Sequence, residues 1–211
     1  MYAHVNLLVT THCNRACPDC CCGMPRHALG PPQHYPWEYF THAATFLRGL
    51  ETLTITGGEA TLHPQFGRIL REFDGLFEPI NLELMTNGCD LLRYRADWDQ
   101  SHVTRIMITD FDGDARSHAA IAAVRAWDPA RLAVYPSAHV DVTRRGSGRP
   151  CGRRAIAAYA AGRLWPCCVS PGIPGAASMD PARDWRTALE RVPLACADCC
   201  FSPSASEEAA P

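Results

Sequence analysis

Short apolar segments alternate with amphipathic segments along the first two thirds of the chain. The apolar segments have the length of strands and end at glycine-, asparagine- or cysteine-containing loops. The predicted strands are residues 4–10, 52–56, 80–86, 103–109 and 132–135, and the predicted helices are residues 37–50, 64–73 and 115–127. This alternation predicts βαβ units with right-handed crossovers, and therefore an α/β fold with a parallel sheet.

The predicted strands are too few to close the sheet into a complete barrel. Only about five strands fit before residue 150, whereas a complete eight-stranded barrel typically needs ~250 residues. A parallel sheet or a partial barrel fits this count, and we expect an abbreviated, partial (βα) barrel of about five to six parallel strands.

A change of organisation near residue 145 indicates a second module. The polar run RRGSGRP is followed by two short predicted strands around a turn at Ala161 and Gly162, then by a short predicted helix at 184–192. The expected units are a partial barrel at 1–144, a small Cys-rich module of a β-hairpin plus a helix at 145–201, and a flexible tail at 202–211. Modules of that size usually need a metal or a crosslink.

Net charge and cysteine content exclude some classes of function and favour others. The formal net charge of −2 gives no electrostatic footprint for nucleic acid, and the N-terminal segment resembles neither a secretory signal nor a membrane span. We therefore expect a cytoplasmic protein with no nucleic-acid or membrane partner. Twelve cysteines in a reducing compartment favour metal binding or catalysis over disulfides.

Five of these cysteines lie within ten positions in the stretch TTHCNRACPDCCCG. Cys13, Cys17 and Cys20 form a CxxxCxxC pattern directly after the first predicted strand, at the end of the strand where α/β folds bind ligands. Three thiolates can hold three irons of a [4Fe–4S] cube and leave the fourth iron open. Cys21 and Cys22 remain alternative ligands.

This pattern resembles the radical S-adenosylmethionine (radical SAM) enzymes. The resemblance includes a Gly-Gly-Glu stretch after the second strand, here Gly57, Gly58 and Glu59, and the segment MTNG at the end of the third. It implies that Cys13, Cys17 and Cys20 are the catalytic cluster ligands and that residues 57–59 receive the amino group of S-adenosylmethionine. From the residues alone, a tight turn followed by a helix-capping carboxylate is the other interpretation.

Two positions depart from the family pattern. Asp19 stands where an aromatic residue commonly precedes the third cysteine, and Ala60 stands where proline often follows the glutamate.

Further candidate cofactor contacts lie at the ends of the third and fourth predicted strands. They are Thr86 and Asn87 on one strand and Thr109 and Asp110 on the other. Cys89 is interpreted as a small buried apolar residue rather than a ligand.

The remaining cysteines resemble the twitch module, a shortened SPASM domain. That resemblance assigns Cys151, Cys167, Cys196 and Cys199 to an auxiliary [4Fe–4S] cluster, with the adjacent Cys168 and Cys200 as alternative ligands. Among enzymes with this module, the chain most resembles the 2-deoxy-scyllo-inosamine dehydrogenase type. Structural zinc remains an alternative to the iron–sulfur cluster in this C-terminal group. A second alternative is a single Cys₄ zinc site that joins the two parts of the chain through Cys17, Cys20, Cys196 and Cys199.

The resemblance implies a mechanism and partners. A flavodoxin- or ferredoxin-like donor would supply an electron for cleavage of S-adenosylmethionine, and the resulting 5′-deoxyadenosyl radical would abstract a hydrogen atom from a natural-product substrate. The segment before Cys13 is too short for a separate domain that binds a leader peptide. This favours a small-molecule substrate or a peptide delivered by a partner. The alternative function is a noncatalytic iron–sulfur or zinc protein for electron transfer or scaffolding.

Overall fold

A single seven-stranded sheet organises the chain. The computed structural model describes residues 3–17, 20, 31–136, 156–165, 178, 180, 181, 185 and 187. Its strands are β1 (His4–Thr10), β2 (Thr52–Gly57), β3 (Asn81–Thr86), β4 (Arg105–Asp110), β5 (Leu132–Pro136), β6 (Ile156–Ala160) and β7 (Arg163–Trp165). They are ordered β5-β4-β3-β2-β1-β6-β7. Strands β1 to β6 pair in parallel, and β7 returns antiparallel to β6.

Helices connect successive strands from β1 to β5. They are α1 (Trp37–Leu47), α2 (Phe66–Phe77), α3 (Arg95–Asp99) and α4 (Ala115–Trp127), with 3₁₀ turns at Ala60–Leu62 and Leu91–Tyr94. Each crossover moves to the next strand in the same direction. Because such crossovers are right-handed, all four helices cover the same face of the sheet.

Aliphatic and aromatic side chains fill the space between this face and the helices. Leu7, Ile55 and Leu84 are aligned across β1, β2 and β3 and have no exposed surface. Phe40 of α1 and Phe73 of α2 lie edge to face, with ring centroids 5.0 Å apart. The core therefore lies on the helix side and fixes the sheet that carries the loops.

The opposite face of the sheet carries a polar row. The register aligns Asn6, Thr54, Glu83 and Arg105 in one row across four strands. Parallel sheets are usually apolar on both faces because helices cover both. Here no described helix packs against this second face.

All five strands and three helices predicted before residue 136 are present. Helix α2 begins at Phe66, two residues after its predicted start, and α3 was not predicted. The turn at Ala161 and Gly162 is also confirmed. Strand β6 adds a sixth parallel strand, but beside β1 rather than after β5, so the hairpin extends the main sheet.

The division at residue 145 and the partial-barrel closure stay predictions. Most of the Cys-rich segment, including most of the predicted helix at 184–192, lies outside the described residues. None of the described helices has the length and hydropathy required to cross a bilayer.

The hairpin turn gives a stability test. Ala161 and Gly162 both have positive φ, 52° and 74°, the pattern of a type I′ turn, which favours Asn-Gly. We expect Ala161→Asn to raise the free energy of unfolding by about 0.5–1 kcal/mol, since asparagine tolerates this conformation better than alanine. Gly162→Ala should lower it by about 1 kcal/mol. Urea unfolding measures both, and unchanged stability in both variants would contradict the turn.

Candidate active site at the carboxyl edge of the sheet

The loop after β1 is held by close backbone contact with the segment after β2. The Gly58 N–H donates to the Thr10 carbonyl at 2.8 Å, and the Glu59 N–H donates to the His12 carbonyl at 2.7 Å. A Cβ at Gly57 would lie 2.5 Å from the Thr10 oxygen, and one at Gly58 only 2.2 Å from the His12 oxygen. Both glycines are therefore required by close approach of two backbones.

A second segment holds the other side of the same loop. The Thr11 N–H donates to the Gln33 carbonyl at 2.8 Å, and the Gln33 N–H donates to the Thr11 hydroxyl at 2.7 Å. The His12 ring stacks on His34, which meets His63 edge to face. The backbone leading into Cys13 is thus fixed from both sides.

The three motif cysteines are half-buried after this fixed segment. The Arg15 N–H donates to Cys13 Sγ at 3.4 Å. Burial, and secondarily the charges of Glu59, Cys20 and Cys17, raise the pKa of the Cys13 thiol to about 11, against the lowering effect of the Arg15 N–H. The three thiols are therefore close enough to influence each other electrostatically.

Glu59 is the buried centre of the site. Its Oε1 accepts hydrogen bonds from the Thr61 N–H, the Thr61 hydroxyl and the Thr86 hydroxyl, and its Oε2 accepts from the Asn87 N–H. Burial raises the pKa of Glu59, and these four donors oppose that rise. The carboxylate thus caps the Ala60–Leu62 turn, as the alternative interpretation expected, and ties β2 to the end of β3.

This placement changes the expected role of the Glu59 side chain. Only 2% of Glu59 is exposed, and the protein already satisfies its carboxylate. The side chain positions Thr86 and Asn87, while the backbone of residues 57–59 is the part of the motif that lies against the cysteine loop.

Asn87 connects β3 to the cysteine loop. Its side-chain amide donates to Asn14 Oδ1 at 2.8 Å, and its own Oδ1 accepts from the Cys89 N–H at 3.0 Å. Asn14 lies directly after Cys13. Two predicted site residues, Thr86 and Asn87, are therefore brought into one hydrogen-bonded network with Glu59 and the cysteine loop.

An ionic cluster that the sequence did not predict joins this loop to α4. Arg15 pairs with Asp114, the residue that caps α4, and its guanidinium lies 3.9 Å from the centre of the Phe111 ring. Cys89 Sγ lies 3.6 Å from the guanidinium and 3.7 Å from Asp114 Oδ2. Cys89 is thus half-buried among charged groups, and its interpretation as an apolar core residue is wrong.

Thr109 and Asp110 end β4 at the same edge and are half-buried. Asp110 Oδ1 lies 2.9 Å from His118 Nε2 on α4. This contact leads away from the Glu59 network, so the role of Thr109 and Asp110 as cofactor contacts stays a prediction.

Several expected ligands lie outside the described residues. These are Cys21, Cys22, Cys151, Cys167, Cys168, Cys196, Cys199 and Cys200. Within the described part of the chain, no three His, Cys, Asp or Glu side chains are arranged to hold a single metal ion.

The donor set around Cys13 fits an iron–sulfur cluster. Each cysteine of a cube binds a different iron, so its ligands need not converge on one point as they do around a single ion. Metal binding requires thiolates, and a thiol with a raised pKa gives up its proton when a metal cation offsets the desolvated charge. A half-buried thiol close to two other thiols is therefore compatible with a role as a cluster ligand.

Comparisons with known proteins agree with this geometry. A family model described as "Radical SAM superfamily" matches residues 7–123, more than half of the chain. GTP 3',8-cyclase of Haemophilus influenzae (strain PittGG) is 28% identical over 110 residues, 51% of this chain and 33% of that protein. GTP 3',8-cyclase of Acidothermus cellulolyticus is 30% identical over 114 residues, 50% and 31% of the two chains.

Among solved structures, BtrN in complex with AdoMet and 2-DOIA aligns with a TM-score of 0.65 at 10% identity, covering 96% of this chain and 92% of that one. BtrN in an open conformation aligns with a TM-score of 0.60 at 11% identity, covering 97% and 92%. At such identity the likeness shows the fold, an α/β fold with a mostly parallel sheet.

The fold is of the α/β class with a mostly parallel sheet, and the chain belongs to the radical SAM superfamily. Membership implies a [4Fe–4S] cluster and S-adenosylmethionine. The chain spans about a third of the length of the curated relatives it matches.

Substitution of Gly58 tests whether the close contact between the two backbone segments is required. We expect Gly58→Ala to displace the loop that leads to Cys13, because the new Cβ meets the His12 carbonyl. Iron and sulfide bound after anaerobic reconstitution should fall severalfold. Gly75→Ala is the matched control: it lies in α2 with open space around it and should retain the cluster and gain up to about 1 kcal/mol. Equal iron content in both variants would contradict the requirement for glycine.

The pKa of Glu59 predicts a pH effect on stability. Its folded-state pKa is raised from the ordinary value of 4.5, so above that value the folded chain holds the proton more tightly than the unfolded chain. Stability therefore falls as pH rises through the window between the two pKa values. The stability of the wild type relative to Glu59→Gln should increase as pH is lowered through this window.

At neutral pH, Glu59→Gln should lose about 1–3 kcal/mol, because its amide NH₂ faces the Asn87 N–H. Urea unfolding of the metal-free proteins at several pH values measures both effects, with the exposed Glu72→Gln as control. A pH-independent difference would count against the raised pKa.

Proposed function

We propose that this chain reductively cleaves S-adenosylmethionine and uses the product to abstract a hydrogen atom from a small-molecule or peptide natural product. When bound, the cluster would transfer one electron to S-adenosylmethionine, giving methionine and a 5′-deoxyadenosyl radical that becomes 5′-deoxyadenosine on taking a substrate hydrogen. The electron comes from a flavodoxin- or ferredoxin-like donor. Membership of the radical SAM superfamily supports the S-adenosylmethionine chemistry of this proposal but does not specify the substrate.

The observation that supports it most is the contact of two motifs at one edge of the sheet. The Gly58 and Glu59 N–H groups hydrogen-bond the loop that presents Cys13, Cys17 and Cys20. Three thiolates would hold three irons, and the fourth iron would remain open to the amino and carboxylate groups of S-adenosylmethionine.

The residues around that opening have distinct proposed roles. Backbone carbonyls of residues 57–59 accept hydrogen bonds from the cofactor ammonium, since the Glu59 carboxylate is already satisfied. Asn87 and Thr86 hold that segment in place and border the cofactor. Thr109 and Asp110 line the neighbouring strand end.

The proposed function also includes an auxiliary cluster held by the C-terminal cysteines. Cys151, Cys167, Cys196 and Cys199 would hold an auxiliary [4Fe–4S] cluster that accepts the electron of the substrate radical, as in twitch and SPASM enzymes. The alignment with BtrN over nearly the whole of both chains supports a related arrangement. The match to GTP 3',8-cyclases covers only about half of this chain and a third of those proteins, so a nucleotide substrate has less support.

Anaerobic reconstitution with dithionite and S-adenosylmethionine tests the proposed function. We expect methionine and 5′-deoxyadenosine from the wild type and background levels from Cys13→Ala, because one cluster ligand is lost. Thr41→Ala, at an exposed position on α1, is the control and should retain both products. Bound iron without 5′-deoxyadenosine would favour the noncatalytic alternative. About eight irons per chain would support the auxiliary cluster, and about four would contradict it.

A further inference from the structure

The side chain of Arg15 anchors the part of the cysteine loop that lies between the first two motif cysteines. Its guanidinium forms an ion pair with Asp114 at the start of α4. The same guanidinium lies 3.9 Å from the centre of the Phe111 ring, and its NH2 group lies 3.6 Å from Cys89 Sγ. One side chain of the cysteine loop is therefore in contact with the segments that follow β3 and β4.

Asp114 uses its two carboxylate oxygens for different partners. Its Oδ1 accepts a hydrogen bond from the Arg116 N–H at 2.9 Å and caps α4. Its Oδ2 pairs with Arg15 and lies 3.7 Å from Cys89 Sγ. Asparagine caps helices as well as aspartate does, but an NH₂ group in the place of Oδ2 cannot accept from Arg15. Asp114→Asn therefore retains the helix cap and removes the contact with the cysteine loop.

The backbone of Arg15 contacts the first of the proposed cluster ligands. Its N–H donates to Cys13 Sγ at 3.4 Å. Residues 13–17 belong to no helix or strand, so contacts of their side chains contribute to the direction of this N–H. Hydrogen bonds to the sulfurs are among the factors that set the reduction potential of an iron–sulfur cluster, because they stabilise the more negative, reduced state.

Stability alone explains this ion pair poorly. The side chains of Arg15 and Asp114 are only 22% and 19% exposed. Removal of a guanidinium and a carboxylate from water costs free energy that their mutual attraction often fails to offset, and in some proteins such pairs serve to specify one geometry. Here the geometry that the pair specifies is that of the loop between two cluster ligands.

We propose that Arg15 and Asp114 are positioning residues for the cluster. Their ion pair ties the segment between Cys13 and Cys17 to α4 and directs the Arg15 N–H at Cys13 Sγ. This contact slows the loss of iron from the bound cluster and raises its reduction potential. The inference rests on the proposed function, since it requires a cluster on the cysteine loop. Both residues act through the position of one N–H rather than through their own charges.

Two measurements on the anaerobically reconstituted chain test this role: release of iron to a chelator, and a redox titration followed by electron paramagnetic resonance. We expect Arg15→Gln and Asp114→Asn to release iron about tenfold faster than the wild type, as is common when a group that orients a metal ligand is replaced. Both should shift the midpoint potential to more negative values. The double variant should match either single variant, because each change breaks the same contact.

The directions of the two potential shifts separate positioning from charge. If the side chains acted only through their charges, loss of the Arg15 guanidinium would lower the midpoint potential and loss of the Asp114 carboxylate would raise it. Shifts in opposite directions would therefore overturn the inference. Unchanged iron release in both single variants, or additive effects in the double variant, would also overturn it.

Arg68→Gln is the matched control. Arg68 also combines an ion pair, with Glu72, and a ring contact, 3.6 Å from the centre of the Trp37 ring, but these contacts join α1 and α2. This variant should leave iron release and the midpoint potential unchanged.

Arg15→Lys covers the case in which Arg15→Gln does not fold. It keeps a cation opposite Asp114 but loses the planar group that stacks on Phe111, so it should release iron faster than the wild type. Wild-type rates in both Arg15→Lys and Asp114→Asn would overturn the inference.

The iron and sulfide content of the wild type is measured first on the same preparations. A wild type that binds no cluster counts against the proposed function. A bound cluster with variants indistinguishable from the wild type counts against this inference alone.

Discussion

The candidate site depends on the close approach of two backbones, at Gly57–Glu59 and Thr10–His12. No side chain larger than hydrogen fits at Gly58, because the His12 carbonyl occupies the position of a Cβ. The two N–H groups of Gly58 and Glu59 then fix the start of the cysteine loop. The buried Glu59 carboxylate accepts four hydrogen bonds and ties this segment to the end of β3, so the protein itself holds the backbone that leads into Cys13.

The two faces of the sheet carry different side chains. On one face, aliphatic rows such as Leu7, Ile55 and Leu84 pack under the helices and supply the hydrophobic core. On the other face, Asn6, Thr54, Glu83 and Arg105 form a polar row across four strands, where a parallel sheet is usually apolar. The start of the cysteine loop lies at the carboxyl edge between these faces.

The sequence predicted what depends on local spacing. Strand and helix periodicity located the five strands and three of the four helices up to residue 136, and the cysteine spacing with the two glycines indicated the candidate site. Contacts between residues distant in sequence were not predictable. The pairing of Arg15 with Asp114, the inward orientation of Glu59 and the position of β6 beside β1 all depend on tertiary packing, which one sequence does not encode as a pattern.

We propose that three cysteines of the loop leave one iron open to the cofactor. Electron–nuclear double resonance on the reduced protein, with S-adenosylmethionine labelled with ¹⁵N in its amino group, measures whether that group binds the cluster. We expect a ¹⁵N coupling to the cluster, because the amino group would bind the open iron. An intact, reduced cluster with bound S-adenosylmethionine and no ¹⁵N coupling would contradict it.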